Sequence, residues 1–120
     1  MFHRLVTKTL YTTNQESPDT CTSVDFLITK VRETHKDYWG NIFHIIKYIR
    51  KTIYLPLILS ANGSGFLKWW IDAYYAVHPN MRVNTCGGIS MGIGFPIMKS
   101  TKQNLNTRSS TESEIIGIHE

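Results

Sequence analysis

The sequence is poor in cysteine and has no long apolar run. Cys21 and Cys86 are the two cysteines among 120 residues, and their separation fits neither a zinc site nor the dense disulfide framework of a small secreted domain. No stretch approaches the length of a membrane-spanning helix. His3, Arg4 and Lys8 interrupt the segment where a signal peptide would have its apolar core. These absences predict a cytoplasmic protein with reduced thiols.

The composition predicts one small globular protein with a mild preference for polyanions. Hydrophobic residues make up 42% and aromatic residues 12% of the chain, which argues against global disorder. Lys and Arg number 13 against 9 Asp and Glu, giving a formal charge of +4. This excess suits a nucleic-acid partner without requiring one.

The first part of the chain, residues 1–52, has the apolar spacing of three amphipathic helices. Ser17-Pro18-Asp19 supplies a cap and a helix-compatible proline for the second helix, and Thr34 with Asp37 resembles a capping box for the third. The apolar positions in helical phase are Phe2, Leu5, Val6, Thr9 and Leu10, then Val24, Leu27, Ile28 and Val31, then Trp39, Ile42, Phe43, Ile46 and Ile49. We therefore expect a helical segment over residues 1–52.

The remainder, residues 53–120, has the pattern of strands followed by one helix. Ile53–Ser60 contains Pro56 and is predicted to be an edge strand or an extended connector. A turn at 61–65, an apolar run at 66–76 and a glycine-rich stretch at 86–94 predict two or three further strands. Ser109 and Glu112 form a capping box for the final helix.

Asp72 is the residue with the strongest chemical implication. It interrupts the apolar and aromatic run 66–76, which otherwise predicts a buried strand with Trp69, Trp70, Tyr74 and Tyr75 packed in a core. A buried carboxylate requires a proton, a cationic partner or a metal ion, because leaving it unpaired costs several kcal/mol. The final helix brings Glu112 and Glu114 close to an apolar run. One carboxylate on a strand and one on a helix could together begin a Mg²⁺ site, although an acid at a solvated strand edge is the equally ordinary alternative.

The order of several short motifs resembles the reverse transcriptase polyprotein of copia-type long-terminal-repeat retrotransposons. The matching segments cover nearly the whole chain, and their combination is more specific than any one of them. They are Phe2-His3 with Val6 and Lys8, Ser17-Pro18-Asp19, Trp39, Lys47-Tyr48-Ile49, Thr52, Trp69, Ile71-Asp72-Ala73, Tyr75-Ala76-Val77-His78, Lys102-Gln103 and Ser109-Ser110-Thr111-Glu112-Ser113-Glu114.

The resemblance implies an α/β fold in two parts. Residues 1–52 would be the helical thumb and connection segment of the reverse transcriptase. Residues 53–120 would be the start of a ribonuclease H-like domain, a three-stranded antiparallel meander followed by the first helix. Enzymes of this family cut the RNA strand of an RNA–DNA hybrid by two-metal-ion hydrolysis. The expected partners are therefore an RNA–DNA hybrid or other nucleic acid, and the remainder of the Pol polyprotein.

The resemblance also assigns site residues. Asp72 would bridge two Mg²⁺ ions and Glu114 would be the ligand from the helix, with Glu112 as the alternative. Residues two apart on a helix point to nearly opposite sides, so one of the two glutamates can face Asp72. Glu112 would otherwise favour the positive end of the helix. Phosphate contacts would come from Lys99, Lys102 and Arg108, which are also ordinary solvated surface residues.

The resemblance implies that the site is incomplete in this chain. The aspartates are Asp19, Asp25, Asp37 and Asp72, so there is no adjacent pair to form a polymerase metal site, and DNA synthesis by this chain alone is excluded. The family's further acidic ligands would follow Glu120. We therefore expect weak or absent Mg²⁺ binding and little or no nuclease activity. Two alternatives are a non-enzymatic basic nucleic-acid-binding module and an unfolded relic of a transposon.

Overall fold

A computed structural model describes residues 1–33 and 35–119 of the chain. Within them the structure is mixed helix and sheet, as an α/β protein is expected to be, with four α-helices and two antiparallel sheets. The chain divides into two compact units, Met1–Ile58 and Leu59–Glu120. The observed division lies six residues beyond the predicted end of the helical segment at Thr52.

The first unit contains the three predicted helices. They are α1 (Phe2–Gln15), α2 (Cys21–Ile28) and α3 (Lys36–Lys51), with a 3-10 turn at Pro18–Thr20 before α2. Val31, predicted on the stripe of the second helix, lies beyond its end. Thr34 lies outside the described residues, and so does the capping box predicted for it. The N-cap of α3 is His35. No helix in residues 1–33 or 35–119 has the length and apolar character needed to cross a membrane.

The core of the first unit is formed by the apolar stripes of these helices. Its buried members are Phe2, Val6, Val24, Leu27, Ile42 and Ile45. The Phe2 and Trp39 rings meet edge to face with centroids 5.1 Å apart. Burying each such aliphatic or aromatic side chain contributes about 1.5–3 kcal/mol, so helix packing holds this unit together. Helical periodicity predicted most of this core, but it was wrong for α3 at two positions: Phe43 is exposed and Ile45, outside the predicted stripe, is buried.

The second unit is a short meander closed by a helix. Its elements are β1 (Ser60–Ala61), β2 (Lys68–Tyr74), β3 (Asn84–Ser90), β4 (Gly92–Ile93), β5 (Ile97–Lys102) and α4 (Ser110–His119). The larger sheet has the order β2-β3-β5 with both pairs antiparallel, and β1 pairs antiparallel with β4. This confirms the predicted three-stranded antiparallel meander followed by a helix. Most of the predicted strand or connector at 53–60 is irregular, because β1 includes only its last residue.

The register of β2 and β3 defines two faces of the larger sheet. Asp72 is opposite Cys86, and Ala73 is opposite Thr85. Because successive side chains of a strand point to opposite faces, Asp72 and Cys86 share one face, here called the Asp72 face, and Ala73 and Thr85 share the other, the Thr85 face. Helix α4 packs on the Thr85 face, since a Cβ atom built on Gly117 would lie 3.0 Å from the Thr85 methyl carbon.

The prediction that β2 is buried is wrong. Six of its seven residues are exposed, including Trp69 with 67% and Trp70 with 56% of its surface accessible. Tyr74 and Tyr75, also predicted to lie in the core, are exposed as well. The reason is that β2 lies at the end of the strand order, and among the described residues α4 covers only part of one sheet face. On the Asp72 face the Phe95 ring meets Trp70 edge to face with centroids 6.5 Å apart.

Three places in the second unit need an unusual backbone conformation or a close approach of two backbone segments. The connection from β2 to β3 holds Ala76 at φ +55° and Met81 at φ +60°, in the left-handed region that non-glycine residues seldom adopt. At Gly92, a Cβ atom would lie 2.4 Å from the Ser60 carbonyl oxygen, so glycine alone permits the pairing of β1 with β4. The predicted turn at 61–65 is confirmed, with Gly63 and Gly65 both at φ +72°.

Candidate functional site

Asp72 lies near the middle of β2, with an exposed side chain. Its Oδ1 atom accepts a hydrogen bond from the backbone N–H of Ala73 at 2.9 Å. Water can solvate an exposed carboxylate, so the expected need for a neutralising partner does not arise from burial. The chemical interest of Asp72 therefore depends on its place at the sheet edge, where a ligand could reach it.

Glu112 is engaged in the cap of α4. Ser109 Oγ accepts a hydrogen bond from the Glu112 N–H at 3.2 Å, and Glu112 Oε2 accepts one from the Arg108 N–H at 2.7 Å. The arrangement is a capping box in which the glutamate reaches one residue further back than usual, to Arg108 rather than to the N-cap. A carboxylate in this position also favours the positive end of the helix.

Glu114 has an exposed side chain beside the packed face of α4. Its neighbour Ser113 is fully buried, and Gly117, four residues after Ser113, is buried as well. Since side chains three to four residues apart share a helix face, Ser113 and Gly117 define the packed face and Glu114 lies about 100° around the helix from Ser113. Its carboxylate is therefore beside the sheet contact and open to solvent.

A buried polar cluster attaches α4 to the sheet. The side-chain amide of Gln103, fully buried, donates to Thr85 Oγ1 at 2.7 Å and to the Ser113 carbonyl oxygen at 2.9 Å. The hydroxyls of Thr107 and Ser113 are 2.6 Å apart, and Ser113 Oγ also donates to the Ser109 carbonyl oxygen at 2.8 Å. No local sequence signal indicates this cluster, although Gln103 is within a motif of the resemblance. The cluster fixes the start of α4 against β3.

The two predicted carboxylate ligands come from elements that pack together but not from the same sheet face. Helix α4 packs against β2 and β3, on the Thr85 face. Asp72 belongs to the other face, because it is opposite Cys86. Within the described ranges, no group of three or more His, Cys, Asp or Glu side chains is placed to hold a metal ion. The geometry thus offers two separate carboxylates and no preformed metal cage.

The three predicted phosphate contacts are dispersed. Lys99 is opposite Gly87 and belongs to the Thr85 face, whereas Lys102 is opposite Asn84 and belongs to the Asp72 face. Arg108 is exposed in the connection between β5 and α4. The two lysines therefore do not form one row along a single face of β5.

An apolar groove lies on the Thr85 face beside α4. Its volume is about 630 Å³, and its walls include Trp69, Ile71, Ile97 and Ile118, with Lys99 among the lining residues. The aromatic and aliphatic walls suit apolar contact with a further protein element rather than the binding of a charged substrate.

No protein-family model, no curated protein and no solved structure matches this chain. The functional interpretation therefore depends on the residues and the geometry described above. Its main structural elements are an aspartate at a sheet edge, a capped helix with an exposed glutamate, and the polar cluster that joins the helix to the sheet.

Proposed function

We propose that this chain is the segment of a copia-type retrotransposon Pol polyprotein that joins the thumb and connection helices to the start of a ribonuclease H-like domain. The complete domain would cleave the RNA strand of an RNA–DNA hybrid by two-metal-ion hydrolysis. This chain would supply two of the metal ligands, Asp72 and Glu114. The remaining ligands would come from the rest of the polyprotein, so the chain alone would have little or no activity.

The observation that carries the proposal is an antiparallel meander in which one strand carries an aspartate and the helix packed against it carries a glutamate. Asp72 is on β2, the edge strand, and α4 packs against the same strand. Asp72 lies on the face opposite α4, so the proposal requires the complete domain to bring the Asp72 and Glu114 carboxylates to one cation around the free edge of β2. Mg²⁺ would complete its octahedral shell with water.

The cap of α4 favours Glu114 over Glu112 as the second ligand. Glu112 already accepts the Arg108 N–H, and moving its carboxylate to a cation would give up this contact at the helix start. The exposed Glu114 carboxylate has no such role in the cap. This choice between the two glutamates uses hydrogen bonds that helical periodicity could not predict.

The test uses Mn²⁺, a paramagnetic substitute for Mg²⁺. The broadening of backbone amide NMR signals shows where the ion binds. We expect weak binding that broadens the signals around Asp72 and Glu114 together. Asp72→Asn and Glu114→Gln should each remove the shared effect, whereas Glu112→Gln should keep it and serves as the matched control. Broadening at one carboxylate alone, or loss of the effect in Glu112→Gln, would contradict the proposed ligand pair.

A second candidate function is nucleic-acid binding without catalysis. The net charge of +4 and the exposed Lys99 and Arg108 favour it. Such binding should fall steeply with salt and should survive Asp72→Asn, because phosphate contacts do not use that carboxylate. Magnesium-dependent binding to a hybrid that is lost in Asp72→Asn would instead favour the ribonuclease H assignment.

A further inference from the structure

The free edge of β2 is open to pairing with another strand. Every second residue of Lys68–Tyr74 directs its N–H and C=O groups away from β3, and within the described residues no strand pairs on that side. Edge strands usually protect these groups with proline, a bulge or several charges. β2 has no proline, a continuous register with β3, and Lys68 and Asp72 as its charged residues.

The charges of β2 are self-complementary. In an antiparallel pair related by a two-fold axis, a register centred on Trp70 places Lys68 opposite Asp72 of the second copy, and the axis repeats this pair. A register centred on Trp69 places Lys68 opposite Trp70, and one centred on Ile71 places Asp72 opposite Trp70. The Trp70-centred register is therefore the one of the three that pairs both charges.

The same register covers exposed aromatic surface. It places the two copies of Trp70 opposite each other on the Asp72 face, beside Phe95, and Trp69 opposite Ile71 on the Thr85 face. Trp69 and Trp70 are both more than half exposed in the single chain. Cross-strand aromatic pairs and opposite-charge pairs both stabilise antiparallel strands.

We infer that two copies of this chain associate through β2, antiparallel and centred on Trp70, to form one continuous six-stranded sheet. The occupant of the edge is a second copy because both members of the ion pair are present on one strand at the spacing that the two-fold axis requires. The inference concerns this chain by itself and does not depend on the proposed function; in the complete domain of that proposal, later strands would compete for the same edge. In the dimer the Asp72 carboxylate pairs with Lys68, so association would compete with cation binding at Asp72.

The test is charge reversal and charge exchange, measured by sedimentation velocity over a dilution series of the full chain. Wild type should form a dimer, and Lys68→Asp or Asp72→Lys should weaken it about tenfold or more, because two attractive pairs become repulsive. The exchanged double variant K68D/D72K should recover the dimer. Lys99→Asp, which makes the same charge change at an exposed residue of β5, is the matched control and should leave the dimer unchanged.

A wild-type chain that stays monomeric would overturn the inference, as would single reversals without effect or association that the double exchange fails to restore. Amide exchange in the wild type gives a second measurement that needs no folded variant. Every second amide of 68–74 should gain protection as the concentration rises, and unchanged protection would also overturn the inference. The K68D/D72K variant lacks the Asp72 carboxylate. If it forms the dimer without binding Mn²⁺, the dimer is independent of the metal site of the proposed function.

Discussion

Gln103 and Ser113 are joined by a buried hydrogen bond of 2.9 Å, from the glutamine side-chain amide to the serine carbonyl oxygen. Gln103 directly follows β5, and Ser113 is in the first turns of α4. The same amide also donates to Thr85 on β3, so one side chain connects the sheet with the helix that carries Glu114. The position of this helix therefore depends on a polar contact as well as on apolar packing.

Replacing Gln103 with leucine should destabilise the second unit by about 2 kcal/mol. The change removes both donors and leaves the Thr85 hydroxyl and the Ser113 carbonyl buried with fewer partners. Residue-resolved hydrogen exchange should show the largest loss of protection over 110–119. Gln15→Leu changes an exposed glutamine in the same way and should have little effect. Unchanged protection of α4 in Gln103→Leu would contradict the role of this contact.

Gly117→Ala should destabilise the contact of α4 with the sheet by about 1 kcal/mol, despite the higher helix propensity of alanine. The new Cβ atom would lie 3.0 Å from Thr85 Cγ2, and the Thr85 hydroxyl is held by Gln103, so the methyl group cannot easily turn away. Adding Thr85→Ser removes that methyl group and should restore much of the loss. Gly40→Ala in α3 meets nothing within 4 Å and should instead stabilise its helix. Amide exchange of α4 and α3 would measure both effects.

Ser109→Ala should weaken the start of α4 by about 1 kcal/mol, because Ser109 Oγ accepts the Glu112 N–H. Glu112→Gln should cost less, since an amide oxygen can still accept the Arg108 N–H but lacks the charge that favours the helix start. Glu114→Gln should change stability by less than about 0.5 kcal/mol. Amide exchange over 110–113 would report the order of these effects. A larger effect from Glu114→Gln than from Ser109→Ala would contradict the separate roles of the two glutamates.

The Tyr48 phenol should ionise at higher pH than an ordinary tyrosine. Its hydroxyl donates to Asp19 Oδ2, and this hydrogen bond, together with the negative charge of Asp19, raises the pKa of Tyr48 above 10.0. The link therefore adds stability at pH values below the ordinary pKa of tyrosine and loses it as pH rises through the raised pKa. Absorbance titration of tyrosinate should show a late transition that disappears in Tyr48→Phe. In Asp19→Asn that transition should move to lower pH, and an unchanged titration would contradict the effect of the carboxylate.

Local sequence patterns predicted the elements of this fold better than their exposure. The helical stripes and the proline near the start of α2 are local features, and α1, α2 and α3 form where they predict, except that α2 ends before Val31. The apolar run and the turn signals likewise predicted strands in residues 53–120, and the resemblance implied that they form a three-stranded meander. Burial of β2 could not be predicted from the same pattern, because exposure depends on which elements cover a strand, and Trp69 and Trp70 lie on an edge strand with incomplete cover.

The sequence predicted the strand position of Asp72 and the capping role of Glu112, but not the contacts between distant segments. Asp72 lies on a strand, as predicted, and its role as a metal ligand stays a prediction. The capping pattern predicted the role of Glu112, which its hydrogen bonds confirm. Gln103 gave no such signal, since its partners Thr85 and Ser113 are 18 and 10 residues away in the chain. Contacts between distant segments depend on the register of the sheet, which a pattern of single residues does not specify.

The connection between β2 and β3 contains a residue whose backbone conformation lowers the stability of the second unit. A side chain at positive φ costs about 1–2 kcal/mol, and Met81, at φ +60°, is an exposed residue that bears this cost. Replacing it with asparagine or glycine would make that conformation easier to adopt without altering any residue of the sheet. A single substitution at Met81 would therefore raise the free energy of unfolding of the second unit. Such a substitution could compensate for a destabilising substitution elsewhere in the unit.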